Sequence, residues 1–201
     1  MPRLALATLI AVALPAPALA SATIGQPAPP FIVYDSNGKT QRLTDYRGKI
    51  VVLEWNNPGC PFVQKHYSSG NMQKTQAAAK AAGAVWLTVN SAGPGRQGFM
   101  NRTQANAFIA AEKAVPTAYL IDPKGVLGRG YDAKTTPGMY VVDAKGTLVY
   151  KGAIDDRPTA DPADIPKAKN LVLAAVTETA AGKPVSVPQT RSYGCSVKYA
   201  D

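Results

Sequence analysis

Apolar residues fall in short runs punctuated by Gly, Pro, Asn and Asp, the pattern of a chain that alternates strands and helices. Phe31-Ile32-Val33-Tyr34 reads as a strand. Asn37-Gly38 is a hairpin signal, and residues 40–43 form the return strand. Residues 50–55 are apolar except for Glu54 and predict a core strand. From 61 to 82 the period is helical, with Val63 and Tyr67 on one face and Gly83 as the stop. A second core strand spans 84–90, followed by a Gly-rich linker over 91–98. Residues 103–113 predict a helix capped by Thr103 or Asn101. A short strand at 119–122 and a short helix at 126–131 come next. Strands at 139–143 and 147–151 flank Ala144-Lys145-Gly146 closely enough to be an antiparallel hairpin. A Pro-bearing acidic loop over 155–165 leads to an amphipathic helix at 166–181, with Leu171, Val172, Ala175 and Val176 as its apolar positions. The order predicts an α/β fold with a parallel centre, right-handed crossovers and a terminal antiparallel hairpin.

Residues 1–20 stand apart from this plan. Arg3, the apolar stretch 4–14 and Ala18-Leu19-Ala20 have the layout of a secretory signal peptide cleaved before Ser21. The apolar stretch is too short to span a bilayer, and no later one is long enough, so no integral membrane protein is expected. The expected location is the periplasm or the exterior. Residues 21–182 fit one domain, and 183–201 form a tail with no clear element. The net charge is +9, but Lys and Arg are scattered, without a basic stripe or interleaved aromatics. That spread argues against nucleic acid as a partner.

Two cysteines are present, Cys60 and Cys195. Cys60 follows the core strand in Trp55-Asn56-Asn57-Pro58-Gly59-Cys60-Pro61. A thiol there lies at the N-terminus of a helix, where amide N–H groups and the helix dipole favour thiolate. Its place at a strand-to-helix turn after Pro58-Gly59 favours an exposed thiol over the alternative, a buried and inert cysteine. In an exported protein, two cysteines can pair.

These elements together resemble the thioredoxin fold, in its redoxin (AhpC/TSA, peroxiredoxin-like) branch, over residues 25–182. The resemblance is carried by Gly25-Gln26-Pro27-Ala28-Pro29-Pro30-Phe31 with its hairpin, by Tyr46-Arg47-Gly48-Lys49 before the core strand, by Thr136-Pro137, and by the hairpin 141–150. It implies a thioredoxin-like α/β domain with an N-terminal β-hairpin extension. It also implies thiol redox chemistry with Cys60 as the nucleophile, Glu54 as a buried proton donor or acceptor, and Pro137 as a cis-proline that orients substrate beside Thr136. Two departures from the family matter. The position three after Cys60 is Val63, so no vicinal dithiol forms, and the position three before it is Asn57 rather than the Thr or Ser of peroxidases.

Cys195 then has two readings. As a resolving thiol it attacks an oxidised or mixed-disulfide Cys60. As half of a permanent disulfide it pins the tail of a non-catalytic binding module. Thiol–disulfide exchange is the expected activity, with thiol peroxidase as the alternative. The partners are a protein thiol or disulfide, or a hydroperoxide, together with a thiol reductant. No organic cofactor is implied, because electrons travel through sulfur, and the spacing of His66 from the cysteines does not suit a metal site. His66 is expected to be a surface or half-buried helix residue. Arg96, Arg102 and Arg129 are candidates to stabilise the thiolate.

Overall fold

The computed structural model describes residues 22–201, so the expected leader lies outside the described residues. The elements are β1 (Ile32–Asp35), β2 (Thr40–Arg42), β3 (Val51–Trp55), α1 (Pro61–Ser68), α2 (Asn71–Ala81), β4 (Val85–Asn90), α3 (Arg102–Ala111), β5 (Ala118–Ile121), α4 (Val126–Gly130), β6 (Thr135–Thr136), β7 (Gly138–Val142), β8 (Leu148–Gly152), α5 (Leu171–Ala180) and β9 (Cys195–Ser196). Seven strands form one sheet in the order β2-β1-β5-β4-β3-β7-β8. β3 runs parallel to β4, and β4 to β5. β7 is antiparallel to β3, and β7–β8 is the expected hairpin. β6 and β9 form a separate two-stranded pair.

The central strand β3 is buried along its whole length, because both faces of the sheet are covered. Its side chains alternate. Val51, Leu53 and Trp55 join Leu87, Leu120, Tyr140 and the α4 residue Leu127 on one face. Val52 packs on the other face with Trp86, Val141, the α1 residues Val63 and Tyr67, Met72 of α2 and Val172 of α5. Glu54 follows the same alternation and points under α1 and α2; its relative exposure is 0%.

The single helix expected over 61–82 is two. Gly70 adopts a left-handed backbone (φ +74°) between α1 and α2, a conformation glycine reaches without Cβ strain. Ser68 and Ser69 turn their hydroxyls back onto the carbonyls of Gln64 and Lys65, at 2.7 Å each, which satisfies the carbonyls that an interrupted helix leaves over. The helix expected at 166–181 begins instead at Leu171, with Asn170 as N-cap accepting from Leu173 N–H at 2.9 Å. Pro166 lies in a preceding 3₁₀ turn. Of the two caps offered for α3, Asn101 is the one used.

The tail after α5 is not structureless. Lys151 N–H donates to Pro188 O and Thr190 N–H to Lys151 O, at 3.1 Å each, so residues 188–190 run along the β8 edge and cover backbone groups that an edge strand would expose. The chain then crosses to β6, pairs with it as β9, and runs on past Gly93, whose N–H donates to Lys198 O at 2.8 Å. Among the described residues, no helix is long and apolar enough to cross a membrane.

Candidate active site

Cys60 is the N-cap of α1, with Pro61 in the first turn. The turn ahead of it is closed by Asn57, whose carbonyl accepts from Cys60 N–H at 3.0 Å and whose Oδ1 accepts from Gly59 N–H at 2.9 Å. Asn57 Nδ2 donates to Gln97 Oε1 at 2.8 Å. The residue standing where peroxidases carry Thr or Ser is thus occupied in tying the Cys60 turn to the 91–98 loop.

The Cys60 thiol donates to Thr136 O at 3.1 Å, and the Thr136–Pro137 peptide is cis. Thr136 in turn pairs with Cys195 in the antiparallel β6–β9 ladder. Cys60, Cys195 and Pro137, which lie far apart in sequence, therefore meet at one place. The two cysteines are not bonded to each other; the Cys195 thiol is a hydrogen-bond partner of Cys60.

Cys60 departs from expectation in one respect: it does not face water. Its relative exposure is 0%, because β9 lies over it. Burial is the largest influence on its acidity and opposes ionisation. It is outweighed by hydrogen bonds from the Cys195 thiol, the Val63 and Cys195 amides and the Thr136 side chain, so the thiol lies below its ordinary range. Cys195 moves the opposite way. Burial, then the Cys60 hydrogen bond and charge, push it up to about 11 despite nearby Lys198. The pair is polarised, with the anion favoured on Cys60.

None of the three candidate arginines supplies that bias. Arg96 pairs with Asp201, Arg102 lies over the Tyr34 ring, and Arg129 lies over Tyr199. The Cys195 thiol foremost, with the Val63 and Cys195 amides and the Thr136 side chain, does the work that guanidinium groups were expected to do.

Glu54 accepts five hydrogen bonds. Oε1 takes Tyr67 Oη at 2.7 Å and Asn56 Nδ2 at 3.3 Å. Oε2 takes Trp86 Nε1 at 2.8 Å, Thr88 Oγ1 at 3.0 Å and Gln76 Nε2 at 3.2 Å. These donors come from β3's own end, α1, α2 and β4; Cys60 is not one of them.

His66 is fully buried rather than superficial. Its Nδ1 meets Asn71 Nδ2 at 2.7 Å, and its Nε2 lies 3.4 Å from Tyr193 Oη and 3.8 Å from Asp155 Oδ2. Lys65, also buried, donates to Arg157 O at 2.9 Å and lies 3.8 Å from the same Asp155 oxygen. Tyr193 donates to Asp155 Oδ1. Burial foremost, with the Lys65 charge and against the Asp155 charge, lowers His66 to about 4, so it is neutral near pH 7. Nothing in local sequence signals this cluster, since Asp155 and Tyr193 reach α1 only through the tertiary fold. Among the described residues, no group of three or more His, Cys, Asp or Glu side chains is arranged to hold a metal.

A parallel-centred sheet, a cysteine heading the first long helix and a cis-proline beside its sulfur define a thioredoxin-like thiol protein of the redoxin type. The AhpC/TSA family profile matches residues 24–151, and the chain belongs to that family. Among solved structures, a hypothetical protein from Sinorhizobium meliloti 1021 is 25% identical with a TM-score of 0.74, covering 90% of this chain and 97% of its own. An uncharacterized conserved protein from Geobacillus kaustophilus is also 25% identical with a TM-score of 0.74, at 89% and 93% coverage. A candidate thiol:disulfide interchange protein DsbE from Chlorobium tepidum is 26% identical with a TM-score of 0.56, at 78% and 99% coverage. Among curated proteins, no match is found.

Proposed function

We propose that this protein is an exported thiol–disulfide oxidoreductase in which Cys60 attacks and Cys195 resolves. The observation that carries this reading is the β6–β9 pairing, which delivers Cys195 to the residue whose carbonyl accepts from the Cys60 thiol. In the reductive direction, the Cys60 thiolate attacks one sulfur of a partner disulfide. A mixed disulfide forms and the partner's other sulfur leaves as thiolate. Cys195, once deprotonated, attacks Cys60 Sγ, and the partner's second sulfur departs. One partner disulfide is reduced to two thiols while Cys60 and Cys195 lose two electrons and become a disulfide. A thiol reductant then restores the pair.

The polarisation of the two thiols supports these roles, because the group that attacks first is the one whose ionisation is favoured. Exchange is preferred over peroxidase chemistry because Asn57 stands in place of the peroxidatic Thr or Ser and its side chain is held by Gly59 and Gln97. The resemblance to the DsbE-type protein favours the same choice. Pro137 would shape the edge against which the partner's chain lies. We assign Glu54 to holding β3, α1, α2 and β4 in place, since its donors already occupy both oxygens; a proton passed to sulfur would have to travel through an intermediary such as Tyr67. Export follows from the expected leader at residues 1–20 and would be read as a mature protein beginning at Ser21.

The test is trapping. Reduced protein is mixed with a protein disulfide such as insulin. Cys195→Ser should accumulate a mixed disulfide through Cys60, and Cys60→Ser should form none. Rapid hydrogen peroxide consumption that depends on Cys60, without disulfide exchange, would instead establish the peroxidase. Absence of both activities, with a Cys60–Cys195 bond that resists reduction, would establish the binding module.

A further inference from the structure

We propose that Tyr199 is the positioning residue that holds Cys195 in register over Cys60, an inference that rests on the exchange reading above. Cys195 lies between two aromatic anchors. Upstream, the Tyr193 ring packs against Phe62 with centroids 5.8 Å apart, and its hydroxyl donates to Asp155. That anchor alone does not set the register, because the next residue is Gly194 at φ +123°, a backbone state that turns freely only without a Cβ.

Downstream, the hold is dense. Tyr199 Oη donates to Ala133 O at 2.6 Å. The Arg129 guanidinium lies 4.6 Å from the Tyr199 ring centroid and donates to Ala200 O at 2.6 Å. Gly93 N–H donates to Lys198 O at 2.8 Å, and Val197 N–H to Lys134 O at 2.9 Å. The scaffold also has room made for the ring. A Cβ on Gly125 would lie 2.5 Å from Tyr199 Cδ1, and one on Gly128 would lie 2.5 Å from its hydroxyl. Both distances are shorter than side-chain carbons tolerate.

β9 is only two residues long, so its own ladder fixes little. Strand side chains alternate, and a slip of one residue would turn Cys195 away from the sulfur it must reach. The Tyr199 contact, four residues on, sets where that strand stops. It also governs access. With the tail seated, Cys60 has no exposure, so attack on a partner requires the tail to lift, and resolution requires it to return to the same register.

The experiment compares Tyr199→Ala with Tyr199→Phe, which keeps the ring. In a Cys195→Ser background, the alkylation rate of Cys60 by iodoacetamide is followed against pH. With both cysteines present, the glutathione equilibrium of the Cys60–Cys195 disulfide gives the effective concentration of Cys195. Loss of a well-seated aromatic ring shifts a docking equilibrium by roughly ten- to a hundredfold. Tyr199→Ala should therefore speed alkylation and lower the effective concentration by about that factor, and Tyr199→Phe should recover most of both. Either readout staying within about twofold of the native value in folded Tyr199→Ala would overturn the proposal. Should that variant not fold, Gly128→Ala crowds the same ring from the scaffold side and carries the same expectation. Failure of the native protein to exchange with insulin would sink the exchange reading, whereas the alkylation arm needs no disulfide chemistry and still decides the role of Tyr199.

Discussion

Replacing Glu54 by Gln separates two roles that a buried acid near a reactive thiol can have. The carboxylate offers five donors nothing but acceptors. An amide of the same shape offers one oxygen and one NH₂. In its better orientation the oxygen keeps Trp86, Thr88 and Gln76, and the NH₂ faces Tyr67 and Asn56. Each buried donor left unpaired costs about 1–3 kcal/mol, so the loss is about 2–6 kcal/mol, falling to about 1–3 kcal/mol if the Tyr67 hydroxyl turns to accept. The expected result in urea unfolding is a lower midpoint with an unchanged slope. The pH midpoint of Cys60 alkylation should stay within about 0.3 units of the native protein, since no hydrogen bond joins the two groups. Unchanged stability with an alkylation midpoint moved by about one unit or more would refute this assignment and make Glu54 a proton-exchange partner of the sulfur.

Further outcomes are expected. His66 is lowered from 6.5 to about 4 in the fold, so the unfolded chain binds a proton that the native state refuses; stability present above pH 6.5 should fall progressively toward pH 4, by up to about 3 kcal/mol. Urea titrations at pH 7 and 5 should show this, with His66→Gln, which keeps contacts to Asn71 and Tyr193 but does not titrate, flattening that stretch. Cys195→Ala removes the largest influence favouring the Cys60 thiolate, so the alkylation midpoint of Cys60 should rise; a fall would mean that the tail acts mainly by desolvation. Gly70→Ala meets no neighbour but must hold φ +74°, and should cost about 1 kcal/mol in thermal or urea unfolding.

Much of the architecture was legible from local pattern. The apolar run before Cys60, the Asn37-Gly38 turn and the hairpin around Gly146 each encode their own geometry, because a strand buried on both faces and a tight turn are written in adjacent residues. Helix ends were read less well. Ser68-Ser69-Gly70 breaks a helix that apolar spacing carries straight through, because the periodicity of Val63, Tyr67 and the alanines beyond is the same for two helices as for one. His66 looked superficial for a related reason: its partners, Asp155 and Tyr193, lie 89 and 127 positions away, and no window along the chain contains them.

The amino-acid order by itself determined the α/β plan, the cysteine at the head of α1 and the proline destined for the turn beside it, since each depends on neighbours in sequence. Only the tertiary structure decided that the last residues fold back as β9, that Cys195 arrives at Thr136, and that the Cys60 thiol is covered and its ionisation favoured by Cys195 and backbone amides rather than by an arginine. Those outcomes depend on a strand pairing between residues about sixty positions apart, held by a ring in a gap that glycines leave open, and chain proximity carries no trace of either.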